Sequence, residues 1–272
     1  MATDDVLIEL DERVAILTLN RPRYRNAQSW ALLDALDARL DEAMANPDVR
    51  VVIVRGAGEH FSSGHDLGTP EQAADQEARG IPDRGIEFYE NFRKYNLDYT
   101  LKWRNLPKPT IAMVQGYCIF GGWMIAAAMD LVFASSDARF LGGLVEYFSI
   151  PWDIHPRKAK ELIFESRFLE AEEAQTLGFV NRVYPSDELE SETRAYAQRV
   201  ARNGRTVLRM SKLAVNKVQD LQGYSAAMEA AFADFLVMVA HGGGRRGDER
   251  RLGAVDLALQ GREEDDTPGK RR

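Results

Sequence analysis

The segment Gly116-Tyr117-Cys118-Ile119-Phe120-Gly121-Gly122-Trp123-Met124-Ile125-Ala126-Ala127-Ala128-Met129-Asp130 constrains the fold more than any other. An apolar run, Ile111 to Val114, leads into it, and a glycine pair breaks it. An Ala-rich stretch beginning at Gly122 or Trp123 then reads as a small buried helix. A strand that passes through glycines into a helix brings unsatisfied backbone N–H groups and the positive end of a helix dipole to one point. Glycine also lets a ligand approach the backbone closely. The arrangement fits a phosphate cradle, or one half of an oxyanion hole whose N–H groups stabilise a developing enolate. It equally fits a small-residue helix packed tightly on a sheet, and the segment taken alone favours packing.

The rest of the chain alternates strands and helices around this segment. Val6 to Glu9 and Val14 to Asn20 read as a hairpin about Asp11-Glu12, followed by a basic loop, Arg21 to Ala27. Leu33, Leu36 and Leu40 recur on one face of a helix from about Ser29 to Met44, which Asn46-Pro47-Asp48 ends. Val49 to Arg55 is a nearly continuous apolar strand of the buried kind. A loop rich in small residues, Gly56 to Leu67, follows it. Residues 68 to 84 are polar and spotted with Gly and Pro, the pattern of a mobile surface loop. Phe88, Phe92, Tyr95 and Tyr99 recur at helical spacing and form either a core stripe or a pocket wall, the stripe being favoured. Further strands are expected at Thr110, at Leu131 to Ala134 and at Val180 to Tyr184. Helices are expected at 157–164, 171–177, 187–203, 206–220, 223–239 and 248–260. This order predicts an α/β fold with a C-terminal helical lobe.

Hydrophobic residues make up 45% of the 272, enough for a substantial core, while a net charge of -7 argues against nucleic acid as a partner. No apolar run has the length of a membrane span and no basic, apolar leader opens the chain, so a cytoplasmic protein is expected. The one cysteine, Cys118, lies in apolar context and reads as inert core, and the four histidines lack metal-ligand spacing, so no metal is expected.

Four segments carry a resemblance. They are Asn20-Arg21-Pro22 with Asn26-Ala27; Val51 to Gly58 leading to Phe61-Ser62-Ser63-Gly64-His65-Asp66-Leu67; Pro107-Lys108-Pro109-Thr110-Ile111-Ala112 leading to Gly116 and Gly121-Gly122; and Ala171-Glu172-Glu173-Ala174 with Gly178 to Val183. In this order and spacing the chain resembles the enoyl-CoA hydratase/isomerase (crotonase) superfamily over roughly residues 6 to 260. The resemblance implies a crotonase-like spiral of ββα repeats with a C-terminal helical trimerisation lobe. The core is expected over 1–190, the lobe over 191–262 and a disordered tail over 263–272. It implies an acyl-CoA substrate, assembly as a homotrimer or hexamer, and no cofactor beyond the coenzyme A that enters with the substrate. It also implies two oxyanion-hole donors, the backbone N–H groups of His65 and Gly121. Ser63, Gly64, Asp66 and Leu67 would line the CoA and thioester end, and Arg23 and Arg25 would meet phosphates. Phe120 stands where the family often has the first of three glycines.

The two glutamates that hydratases of the family use as acid and base fall on Met124 and Leu144, neither of which transfers protons, so water addition by paired carboxylates is unsupported. The stretch after Pro151 also lacks the family's glycine-rich turn. The candidate replacements are Asp153, beside Trp152, and Glu146. Asp153 is the preferred base, since family members that isomerise dienes, dehalogenate or close rings place an aspartate nearby. It reads equally well as the cap of the following helix. Glu146 is expected as a solvated or interface charge, and Tyr147 and His155 are weaker acid/base candidates. The leading expectation is therefore enolate chemistry on a hydrophobic acyl-CoA: isomerisation, carbon–carbon cleavage or hydrolysis. The competing one is a catalytically silent acyl-CoA-binding or oligomer-packing subunit.

Overall fold

The computed structural model describes residues 4–82 and 84–242; the helix expected at 248–260 and the tail from 263 lie outside them. β1 (Val6–Asp11) and β2 (Val14–Leu19) form the expected hairpin, with Val6 opposite Leu19 and Asp11 opposite Val14. All six residues of β2 are buried, because its two neighbours and both faces are covered. α1 (Trp30–Ala45) starts where Ser29 accepts the Leu32 N–H, a side-chain cap, and it buries Leu32, Leu33, Leu36, Leu40 and Ala43. β3 (Val51–Gly56) follows.

The expected mobile loop over 68 to 84 instead contains α2 (Pro70–Arg79). Its signals are all local. Thr69 caps the first turn, Pro70 occupies the position that needs no N–H, and Gly80 closes the helix with φ +61°. A predominantly polar helix lacks the apolar stripe that periodicity detects, so the residues read as loop.

Next come α3 (Ile86–Arg93), a π-helical stretch (Lys94–Asp98), α4 (Tyr99–Arg104), β4 (Thr110–Val114), β5 (Tyr117–Ile119) and α5 (Gly121–Ala128). β6 (Leu131–Ser135), β7 (Arg139–Leu141), α6 (Ile150–Asp153), α7 (Pro156–Glu165), β8 (Leu169–Glu170), α8 (Ala171–Leu177) and β9 (Arg182–Tyr184) continue the pattern. The chain described ends with α9 (Leu189–Ala201), α10 (Arg205–Leu221) and α11 (Tyr224–Gly242). Six strands pair in the order β1-β2-β3-β4-β6-β9, parallel except for the hairpin, and β5-β7-β8 form a second sheet. β4 and β6 lie in the large sheet, while their successors β5 and β7 pair in the small one. Each turn of the chain therefore gives one strand to each sheet and then a helix, which is the ββα spiral.

Period-two alternation sorts the central strands. Ala15, Leu17, Val52, Val54, Ala112 and Val114 join the main core with α1 and α5. Ile16, Val51, Ile53, Ile111 and Phe133 face the other way and are covered by Leu189, Ala197 and Ala201 of α9. A boundary at 190 would thus separate α9 from the sheet it covers. α11 buries Tyr224, Met228 and Phe232, and Phe235 stacks on Phe92 of α3 at 6.1 Å. The rings at 232 and 235 are thus used within the chain. Exposed apolar residues are most concentrated on α10, where Val207, Met210, Val215, Val218 and Leu221 are all more than half exposed, and Val237, Met238 and Val239 of α11 are exposed as well. No helix among the described residues is long and apolar enough to cross a membrane.

The aromatic stripe is partly core, as favoured: Tyr95 is buried and stacks on Trp30 at 5.2 Å. Its polar ends meet on Asp34, whose carboxylate accepts from Arg79 (2.7 Å), Lys94 (3.2 Å), Tyr95 (3.2 Å) and Tyr99 (2.7 Å). One carboxylate thus ties α1 to α2, the π-helical stretch and α4. Asp34→Ala leaves four donors without it and is expected to cost roughly 1–3 kcal/mol. The check is a lowered urea midpoint at pH 7 with an unchanged slope.

Candidate active site

Two loops meet at the C-terminal ends of the central strands. In the first, Ser62 bridges to the small sheet: its N–H donates to Tyr117 O at 3.0 Å and its carbonyl accepts from Ile119 N at 3.0 Å. Its hydroxyl donates to Asn26 O at 2.8 Å and accepts from Gly64 N at 3.1 Å, which fixes the turn. Gly64 O then accepts from Gln28 N, and Asp66 N donates to Gln28 O. In such a parallel bridge the residue between, His65, directs its own N–H and C=O away from Gln28.

The second loop is the turn into α5. A Cβ on Gly64 would stand 2.7 Å from Ile119 O and 3.3 Å from Gly121 N, and Gly64 has φ +90°. Only glycine satisfies both the space and the backbone conformation, so this peptide can lie against the start of α5. Among the described residues, neither the His65 N–H nor the Gly121 N–H has a protein acceptor. A Cβ on Gly121 would meet Gln28 Oε1 at 2.5 Å and His65 Cε1 at 2.9 Å, so both side chains crowd the same point. Gln28 escaped the sequence reading; its position next to Asn26-Ala27 was the available signal. Phe120 holds a positive φ of +43°, unusual for a bulky residue. Its N–H donates to Leu141 O at 2.8 Å, and its ring occupies the space a Cβ on Gly143 would need.

Glu146 corrects an expectation. It is not a solvated charge: it is 2% exposed, and its Oε2 lies 3.3 Å from His65 Nε2. Burial opposes a charge on the His65 ring, but the Glu146 carboxylate and its hydrogen bond outweigh that and hold the pKa above the ordinary value. The structure therefore joins Gly64, His65, Gly121 and Glu146 in one place.

The other expected residues are distributed around it. The Asp66 side chain is buried and pairs with Arg21 at 2.8 Å, while accepting from Thr69 N and Gly68 N. It anchors the loop and the start of α2. Burial opposes its ionisation, yet the Thr69 and Arg21 hydrogen bonds keep its pKa below the usual carboxylate range. Ser63 donates its hydroxyl to Tyr24 O, and Leu67 is 76% exposed. Arg23 is exposed and held by Glu71 and Tyr24. Arg25 lies over the Tyr117 ring at 6.0 Å, and its Nη1 is buried with no acceptor. Met124 is buried in the main core, and Leu144 is half-buried.

Asp153 occupies a different cluster. It accepts from Ser149 Oγ at 2.6 Å, near the Trp123 indole N–H and the buried Tyr147–Tyr224 hydroxyl pair at 2.6 Å. Trp152 packs on Tyr224 at 5.2 Å. Asp153 does not cap the following helix; His155 does, accepting the Arg157 N–H. Tyr147 is likewise bonded to Tyr224 rather than open to a substrate. Burial pushes the Asp153 carboxyl up to about 7, against the opposing pull of Ser149 and Trp123.

The model of the family described as Enoyl-CoA hydratase/isomerase matches residues 9–237. The chain belongs to the enoyl-CoA hydratase/isomerase family. A relative from Mycobacterium tuberculosis, EchA13, whose name is that of an enoyl-CoA hydratase, is 37% identical over 269 residues, covering 92% of this chain and 85% of its own. The crystal structure of a probable enoyl-CoA hydratase from Mycobacterium smegmatis superposes with TM-score 0.78 at 41% identity, covering 85% of this chain and 92% of that one. A monofunctional enoyl-CoA isomerase from the same organism superposes with TM-score 0.65 at 28% identity, covering 80% and 95%. As a member of the enoyl-CoA hydratase/isomerase family the chain is an acyl-CoA-processing enzyme, and its relatives include both named chemistries.

The buried Asp153 makes stability depend on pH with a definite sign. The native state keeps the proton to about pH 7, whereas the unfolded chain releases it near the ordinary carboxylate value. Stability therefore falls as pH rises between the two, by about 1.4 kcal/mol per unit. Asp153→Asn cannot ionise. It is expected to gain roughly 2–4 kcal/mol relative to the wild type on going from pH 4 to pH 8. Paired urea melts at the two pH values measure it.

Proposed function

We propose that this enzyme holds an acyl-CoA thioester oxygen between the N–H groups of His65 and Gly121, and that Glu146 moves a proton on the resulting enolate without adding water. Double-bond isomerisation is the reaction that fits best. The observation that carries the proposal is the buried Glu146–His65 contact of 3.3 Å beside the Gly64–Gly121 approach. Glu146 takes a proton from C2 of a 3-enoyl thioester, and the electron pair moves onto the thioester oxygen. Returning the proton to C4 shifts the double bond to C2–C3. Atoms and electrons balance with no co-reactant, and coenzyme A enters as part of the substrate.

His65 serves twice in this reading. Its backbone donates to the enolate oxygen, and its ring, whose pKa the Glu146 carboxylate raises, holds that carboxylate beside the same point. Met124 and Leu144 supply no carboxylate pair to activate water. Met124 is closed in the core and offers no surface to an acyl group, whereas the half-buried Leu144 favours a hydrophobic one, at about 0.8 kcal/mol per buried methylene.

The second reading assigns the proton transfer to Asp153, which the sequence favoured and whose carboxyl titrates at about 7. Glu146→Gln is expected to lower kcat about 100- to 1000-fold on 3-enoyl-CoA with little change in KM, while Asp153→Asn keeps activity within about tenfold. The reverse pattern overturns the assignment to Glu146. Binding of acyl-CoA without turnover of enoyl-, dienoyl- or β-ketoacyl-CoA would leave the silent binder as the reading.

The exposed apolar face of α10 supports assembly as a homotrimer or hexamer, since monomers rarely expose patches of that kind. Light scattering at micromolar concentration is expected to give three or six times the 30.6 kDa chain mass; a monomer contradicts it.

A further inference from the structure

At the other end of the sheet the charge pattern inverts. Arg50 and Lys108 stand just before β3 and β4, whereas the His65 and Gly121 loops follow the far ends of those strands. Five to six residues of strand, roughly 17–20 Å, lie between. Here α10 and the strand starts enclose a crevice of about 520 Å³. Four cationic side chains line it, Arg50, Lys108, Arg205 and Arg209, and no carboxylate does. In a chain with 42 acidic and 35 basic residues this is an exception. Several arginines elsewhere sit on carboxylates, as Arg79, Arg167 and Arg194 do.

Lys108 is 7% exposed, and its ammonium donates to Ala43 O at 2.7 Å and Asn46 O at 2.6 Å. Those carbonyls fix it at the end of α1 but carry no full negative charge. Burial and the nearby Arg205 and Arg50 charges lower its pKa to about 8. Neither Arg205 nor Arg209 has an ion-pair partner among the described residues, and both are exposed. Between the cations the lining is apolar, with Pro107, Pro109 and Leu213. A buried cation repelled by its neighbours and opening on an apolar cleft is matched by an anion that has an apolar or planar body. Arginine forks suit phosphate oxygens, and the volume suits a nucleotide-sized molecule.

We propose that this crevice binds a phosphorylated ligand of nucleotide size, with its phosphate on Lys108, Arg205 and Arg209 and its body against Pro107, Pro109 and Leu213. The site lies at the opposite end of the sheet from the two loops proposed to hold the thioester, and competition with coenzyme A tests whether its ligand is distinct from the substrate. AMP, inorganic pyrophosphate and adenosine serve as probes in calorimetric titrations of the intact protein, with saturating coenzyme A present to fill the acyl-CoA site. AMP is expected to bind under these conditions, more tightly than pyrophosphate, and adenosine is expected not to bind. The affinity should fall as salt rises. The double variant Arg205→Gln/Arg209→Gln is expected to weaken AMP binding at least about tenfold while leaving the ligand-free melting temperature and acyl-CoA turnover unchanged. Absence of AMP binding up to about 5 mM, its displacement by coenzyme A, or indifference to the double variant overturns the proposal. Glu146→Gln separates it from the proposed chemistry, because that variant should bind AMP as the wild type does whether or not it turns over acyl-CoA.

Discussion

The structure turns on the approach of one peptide to one helix start. Gly64 lets the Gly64–His65 peptide lie against Gly121, at a distance where any side chain would strike Ile119 O. Everything that positions the two loops serves that contact. Ser62 is stitched to β5 and to Asn26, Gln28 brackets His65 from the far side, and Arg21 holds Asp66. Among the described residues the His65 and Gly121 N–H groups have no protein acceptor, while Ser62, Asn26 and Gln28 beside them are paired. Packing sets this geometry, and no charge on the loops is needed to create it.

Buried charge is distributed around that point in three different ways. The Arg21–Asp66 pair is fully enclosed and shares its hydrogen bonds with Thr69 and Ala27, so its desolvation is offset by several partners. The Glu146–His65 pair is less completely enclosed, because the ring reaches the cleft with 27% of its side chain exposed. That leaves it able to act on something that enters. Asp153 has one hydroxyl partner and aromatic neighbours, and it answers burial by keeping its proton. Three carboxylates of similar sequence prominence thus end in three electrostatic states, decided by their partners and not by their position along the chain.

The strain at Phe120 belongs to the same design. A glycine there would adopt φ +43° freely; phenylalanine holds it because its ring fills the space above Gly143 and its N–H is bound to Leu141. The substitution that departs from the family pattern is compensated by the absence of a side chain 23 residues later, a pairing that spans β5 to the loop after β7.

Much of the frame was legible because it is local. The short apolar runs of β2 and β3, the leucine stripe and Ser29 start of α1, the glycine turn into α5 and the Gly178 cap of α8 each state their element within a few residues. α2 was missed because a polar helix carries caps but no apolar period, and the packing of Phe232 and Phe235 was not legible because their partners on α3 lie about 140 residues earlier. At the site, the sequence by itself determined that a glycine turn leads into α5 and that Met124 and Leu144 could not transfer protons. Only the tertiary structure decided that Glu146 is buried on His65, that Gln28 crowds Gly121, and that Asp153 sits among Ser149, Trp123 and two tyrosines. The reason is physical: a carboxylate's state depends on the dielectric and donors around it, and these are supplied by residues up to 81 positions away.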